Sequence, residues 1–181
     1  MSEEAHSHGC RAECAIVPMS ALGYYCRAMA QAIPWVHGEL PWLSGPLFRV
    51  HHEAWSHVDE FLRRWHYRRV ELDGRAMASN FEAHSELHRA FGFPDWCGHN
   101  WDAFNDCFGD YVEENNGALI AVVWRDIAAA AAAAPATTAE VGWGLLDCKF
   151  GHMPTLGPGT EWSLTLDIFA LGDGSDFARP Q

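Results

Sequence analysis

Leu119-Ile120-Ala121-Val122-Val123-Trp124 is an unbroken apolar run, and it constrains the fold more than any other feature of the chain. Such a run marks a strand covered on both faces, so other elements must lie above and below the sheet that holds it. The surrounding segments fit that demand. Arg68 to Leu72 reads as a short strand closed by a turn at Asp73-Gly74. Trp162, Leu164, Leu166, Ile168 and Ala170 alternate with Ser163, Thr165 and Asp167, which gives a last strand. Helical patterns fill the intervals. Ala54, Trp55, Val58, Phe61, Leu62 and Trp65 fall at helical spacing within His52 to Tyr67. Ser79-Asn80-Phe81-Glu82 is a capping box opening a helix that Gly92 and Pro94 end. Asn100 caps a helix through about Phe108, with Trp101, Phe104 and Phe108 as its buried stripe. Ala128 to Ala134 favour helix until Pro135 stops them. Thr137-Thr138-Ala139-Glu140 is then a second capping box, before a helix that buries Val141, Leu145 and Cys148. Strands separated by helices imply an α/β fold, here a small three-stranded parallel sheet with right-handed crossovers.

The chain has 181 residues, enough for one domain with a decorated end. Nine Trp and ten Phe exclude general disorder, and no apolar run is long enough to span a bilayer. Met1 to Cys14 lacks the basic and apolar regions of a secretory signal, which predicts a cytoplasmic chain. Residues 1–51 read as an irregular, partly helical N-terminal extension to an α/β domain at 52–181. Ser20 caps a helix to about Ala32, and Pro34, Pro41 and Pro46, with Gly38 and Gly45, then break the chain. Trp35, Trp42 and Trp55 are too apolar to float free, so the extension is expected to pack on the core. Of six cysteines, Cys107 and Cys148 read as core thiols, since an intracellular protein keeps its thiols reduced.

Charge is distributed unevenly. Residues 1–70 are balanced, so the whole net charge of −12 lies in residues 71–181, and Asp95 to Glu114 holds six acids with no Lys or Arg. Nucleic acid repels such a surface, whereas a basic protein partner complements it. A solvated acidic face that aids solubility is the plainer alternative. On a helix that starts after Asn100, Asp102, Asp106 and Asp110 stack at i, i+4 and i+8, opposite the aromatic stripe. Like charges so placed repel by roughly 0.2–0.5 kcal/mol per pair. Asp102 recovers some of this near the helix N-terminus, but Asp106 and Asp110 cannot. Trp96, Gly98, Asn100, Trp101 and Asn105 add stacking and hydrogen-bonding groups around these acids. Acids ringed by aromatics are what a basic, RNA-handling active site accepts as a mimic of phosphate and base.

The run Phe93-Pro94-Asp95-Trp96-Cys97-Gly98-His99-Asn100-Trp101-Asp102-Ala103-Phe104-Asn105-Asp106-Cys107 resembles the signature of the barstar family of ribonuclease inhibitors. Leu72-Asp73-Gly74, His84 and Val123-Trp124-Arg125 also look like family positions, and the resemblance is best over residues 68–126. It implies an α/β domain whose loop and following helix plug a ribonuclease active site. Trp96 matches the contacting loop aromatic, Asn100 and Trp101 the helix-start contacts, Asp102 an acidic contact, and Asp106 the acid in the catalytic phosphate site. The barstar counterpart of Asp106 is itself a standard hot-spot example, so its weight here comes from the resemblance. Three departures stand out. Cys97 replaces the second loop aromatic, Asn105 replaces an aromatic helix contact, and a second acidic patch has only Glu140 or Asp147 as candidates. The resemblance implies a basic ribonuclease or toxin as partner for Trp96, Gly98, Asn100, Trp101, Asp102, Asn105, Asp106 and Asp110.

Other constellations point less far. His6-x-His8-x-Cys10-x3-Cys14 has zinc-compatible donors but no ribbon or finger spacing, and reads as a flexible tail. His51-His52 with His57 reads as a surface cluster. Asp102 and Asp106 could serve as paired carboxylates, yet no nucleophile with a base and no phosphate loop accompanies them. The expectation is therefore an inhibitor with no catalytic residues, no metal, no cofactor, no nucleic-acid contact and no membrane segment. The alternatives are a barstar-like protein for a non-nuclease partner, or a small hydrolase or metal-binding enzyme.

Overall fold

A computed structural model describes residues 34–151 and 164–180. Strands β1 (Leu47–His51), β2 (Arg68–Asp73), β3 (Leu119–Arg125) and β4 (Thr165–Gly172) form one parallel sheet in the order β1-β4-β3-β2. The expected three strands are thus corrected to four. The extra strand lies in the segment read as an extension, where prolines and glycines on its N-terminal side hide five residues of strand. It pairs with β4 from Leu47 opposite Ile168 to His51 opposite Gly172. Among the described residues the helices are α1 (Val36–Glu39), α2 (Trp55–Arg64), α3 (Asn80–Phe91), α4 (Trp101–Glu114), α5 (Ile127–Ala133) and α6 (Pro135–Gly151).

β3 is central and buried from Ile120 to Trp124. Its Ile120, Val122 and Trp124 face one core, built with Leu87 and Phe91 of α3, Phe104 and Phe108 of α4, and Leu145 of α6. Its Ala121 and Val123 face a second core with Phe48 and Val50 of β1 and Val58, Phe61 and Leu62 of α2. Helices therefore cover both faces of the sheet, as a continuous apolar strand requires. β4 does not alternate between core and water. Leu166 through Gly172 are all buried, because β1 and β3 flank this strand and both faces are covered. Its one charged residue, Asp167, accepts from Tyr67 Oη at 2.7 Å and pairs with Lys149 Nζ of α6 at 2.9 Å. Burial, and after it the Asp167 carboxylate, pushes the Tyr67 hydroxyl far above its ordinary pKa.

Both sheet edges are occupied. Ala178 hydrogen-bonds to Arg49 and His51 along the outer edge of β1. On β2, Glu86 of α3 accepts from Asp73 N at 2.7 Å, and Arg89 donates to Glu71 O at 2.9 Å. Such contacts blunt the edges that would otherwise invite association.

Two helix boundaries and the placement of one tryptophan differ from expectation. α4 continues past Phe108 to Glu114, because Val112 and half-buried Tyr111 prolong its inward stripe across exposed Gly109. α6 starts at Pro135, so Thr137 is not its cap. A proline suits a first helical turn, whose N–H has no partner to lose. Trp35 is 71% exposed and lies over Gly38 instead of entering the core, whereas Trp42 and Trp55 are half-buried against it. The helix expected at 20–32, the His6 to Cys14 cluster, Cys26, Trp162 and Ser163 lie outside the described residues.

Candidate functional site

The loop 94–99 and the helix α4 are positioned from three directions. Ser79 caps α3 by accepting from Glu82 N at 3.3 Å, and Gly92 ends it in the left-handed conformation at φ 70°. This sends the chain back along α3. There His88 Nε2 donates to Pro94 O at 2.8 Å. His99 stacks on Phe81 with ring centroids 4.8 Å apart, and its Nδ1 lies 3.1 Å from Ser85 Oγ. Asn100 then caps α4 through Oδ1, accepting from Ala103 N at 2.9 Å. A cap of this kind contributes about 1 kcal/mol to the helix start. Sequence reasoning missed Phe81, Ser85, His88 and His99. The first three recur at i, i+4 and i+7 on one face of α3, and that spacing was the available signal.

A third tie is covalent. Cys97 in the loop is joined to Cys107 on α4, with Cα atoms 6.5 Å apart. This corrects the reading of Cys107 as a core thiol. α4 turns its inner face, with Cys107, toward the loop, and the Cα separation lies within disulfide range. Cys148 is a free, buried thiol, which burial, with a smaller push from Asp147, raises to about 12.

On this frame Trp96 stands 71% exposed at the loop tip. Gly98, Asn100, Asp102, Asn105, Asp106 and Asp110 are also exposed. Trp101 differs: it is half-buried, edge-on to His84 at 4.8 Å and to Phe104 at 5.4 Å. A Cβ at residue 144 would run into its ring, so glycine is required there for α4 to approach α6. Trp101 therefore spends most of its ring on holding two helices together. Burial holds the His84 imidazole below its ordinary pKa, helped by His99 and opposed by Glu140. Glu140, Gly144 and Asp147 share one face of α6, which carries the two candidate acids of a second patch to either side of Trp101.

Several acids elsewhere meet cations: Asp59 with Arg63 and Arg69, Glu39 with Arg64, Glu71 with Arg125, Glu86 with Arg89. Among the described residues, Asp102, Asp106 and Asp110 have no ion pair or hydrogen-bonding side chain opposite them. Of the three, Asp110 also lines an open groove of about 440 Å³, together with Arg68, Trp96, Cys107 and Tyr111. The arrangement offers exposed negative charge, one projecting indole and free amides, which suits a cationic protein surface. Among the described residues no group of three or more His, Cys, Asp or Glu is arranged to hold a metal ion, and no helix is long and apolar enough to cross a membrane.

Residues 67–147 match the family model described as Barstar (barnase inhibitor). No curated protein matches the chain.

Proposed function

We propose, from the premise that residues 67–147 belong to the barstar family, that this chain is an intracellular, antitoxin- or immunity-type inhibitor of a ribonuclease. In this reading, loop 94–99 and the exposed face of α4 cover the enzyme's basic active site. The observation that carries it is the row of unpaired acids, Asp102, Asp106 and Asp110, in a molecule that partners many of its other carboxylates. Unpaired charges on a preorganised helix repel one another, and a cationic cleft relieves that repulsion. Asp106, central in the row, enters the site that holds substrate phosphate. Asp102 and Asp110 flank it and steer the encounter. Trp96 supplies the aromatic anchor, and Gly98, Asn100 and Asn105 supply close backbone approach and amide hydrogen bonds. Trp101 acts mainly by fixing α4 on α6.

Titration against a barnase-type ribonuclease tests the reading. An inhibitor abolishes cleavage at one-to-one stoichiometry, and association slows as salt screens the acids. The substitutions of aromatics by Cys97 and Asn105 favour a second reading, a non-nuclease basic partner for the same face. Binding of such a protein without inhibition of the ribonuclease would select it.

A further inference from the structure

The segment between Cys97 and Cys107 contains Gly98, Asn100, Trp101, Asp102, Asn105 and Asp106, so the disulfide closes a ring around most of the candidate surface. We propose that Cys97–Cys107 is a reversible thiol–disulfide site, exchanged by small dithiols, that sets how firmly loop 94–99 is held on α4. The effect on partner affinity rests on the inhibitor reading; the exchange chemistry and the loop's order do not.

Three observations support this. First, the other ties on the loop are weaker and lie at its surface: His88 to Pro94 O, and His99 to Ser85 Oγ, are both exposed hydrogen bonds. Opening the one covalent tie therefore leaves the loop on these exposed hydrogen bonds, the His99–Phe81 stacking and the packing of Cys97 alone. Second, both sulfur-bearing residues are buried, yet Cys107 contributes to the wall of the 440 Å³ groove beside Trp96, which gives a small reagent an approach. Third, the remaining described cysteine is no competitor, because the buried Cys148 thiol stays protonated and is a poor nucleophile.

The exchange balances without a metal or cofactor. A dithiol's thiolate attacks Cys107 Sγ, the bond between the two cysteines breaks, and Cys97 leaves as a thiolate that takes a proton. The dithiol's second thiolate then attacks the mixed disulfide and releases Cys107, which is protonated in turn. Two electrons pass to the protein, and the reagent becomes a cyclic disulfide. A low-molecular-weight disulfide reverses the sequence. Once reduced, the loop must be reordered when a partner binds, so dissociation speeds and affinity falls about tenfold, as loss of preorganisation implies.

The test uses the full chain, prepared oxidised with glutathione disulfide or reduced with dithiothreitol, with thiols counted by alkylation and mass analysis. Amide hydrogen exchange across residues 94–100 is expected to be at least tenfold faster in the reduced form. Cys97→Ala and, independently, Cys107→Ala are expected to exchange at the reduced rate whatever the redox condition. Two free thiols in the 97–107 segment after oxidation would overturn the site. Equal exchange in both forms would overturn the restraint. In parallel, both forms are titrated against a barnase-type ribonuclease. Equal affinity despite different exchange would overturn the effect on binding while leaving the inhibitor reading intact. Failure of both forms to bind would overturn that reading, and the exchange rates alone would then judge the redox site.

Discussion

Replacing Lys149 with Met isolates the most buried ion pair among the described residues. Lys149 Nζ lies 2.9 Å from Asp167 Oδ1, and the two side chains are only 12% and 9% exposed. The same ammonium donates to Pro46 O at 3.2 Å and sits 5.1 Å from the Phe48 ring centroid, so it ties α6 to the start of β1 as well as to β4. At 2.9 Å and an effective dielectric constant near 20, the gross attraction is about 6 kcal/mol. Desolvation of two ions offsets most of that, so the intact pair adds little net stability. Removing only the cation is different. It leaves Asp167 buried with Tyr67 as its remaining donor, which costs about 3–5 kcal/mol. For a chain of this size that is a fall in Tm of about 6–20 °C. The exposed pair Arg63–Asp59 provides the contrast, and Arg63→Met should cost less than about 1 kcal/mol. Lys149→Met/Asp167→Leu should recover part of the loss, since no unpaired charge is then buried. Urea unfolding followed by tryptophan fluorescence, at fixed redox state, reads all four proteins. A Lys149→Met loss no larger than that of Arg63→Met would show that water screens the pair and refute the anchoring argument.

Further outcomes follow from the same geometry. His84 is held below its ordinary pKa, so the unfolded chain takes up a proton at this residue near pH 6.5 and the folded chain only at lower pH. Stability is therefore lost as pH falls from about 6.5 through the folded value, and His84→Gln should flatten that part of the urea-midpoint profile. Asn100→Ala should cost about 1 kcal/mol by freeing the Ala103 amide, measured by the same unfolding experiment, with no change in helix content at saturation of the folded state. Deleting residues 1–51 should abolish cooperative unfolding in circular dichroism and promote association in sedimentation, because it strips β1 from β4 and removes Phe48 and Val50 from the core.

Local patterns carried much of this fold into the sequence. The run at Leu119–Trp124, the capping box at Ser79, the cap at Asn100, and the stripe from Ala54 to Trp65 each report a neighbourhood of a few residues, and each describes a local element. Pairings between distant segments leave weaker marks. β1 is a five-residue strand whose partner lies about 120 residues away, and nothing near it announces that partner. The alternation across Thr165 to Ala170 suggests one wet face, but helices packed on either side of the sheet keep both faces dry. The Asp at 167 is legible as polar and illegible as buried, since its partners Tyr67 and Lys149 come from other elements. At the candidate surface, the acids and the loop aromatic stand in one continuous segment and could be read directly. The supports under them, His88, His99, Gly144 and the Cys97–Cys107 bond, depend on how α3, α4 and α6 meet.

The central claim is that the unpaired acidic face of α4 blocks a ribonuclease active site, and Asp106→Ala tests it most directly. Asp106 is exposed and makes no ion pair among the described residues, so its removal should leave the melting temperature unchanged or slightly raised as repulsion falls. Binding should respond strongly, because the partner's cations would be buried without a counter-charge at a cost of about 2–5 kcal/mol or more. That corresponds to a loss of affinity of roughly 30- to 4,000-fold, and Asp106→Asn should lose most of it as well. Inhibition and binding kinetics of both variants against a barnase-type ribonuclease, beside the unaltered chain, give the answer. Weakened inhibition with an intact fold is the predicted result; unaltered affinity in a folded Asp106→Ala protein would contradict the account.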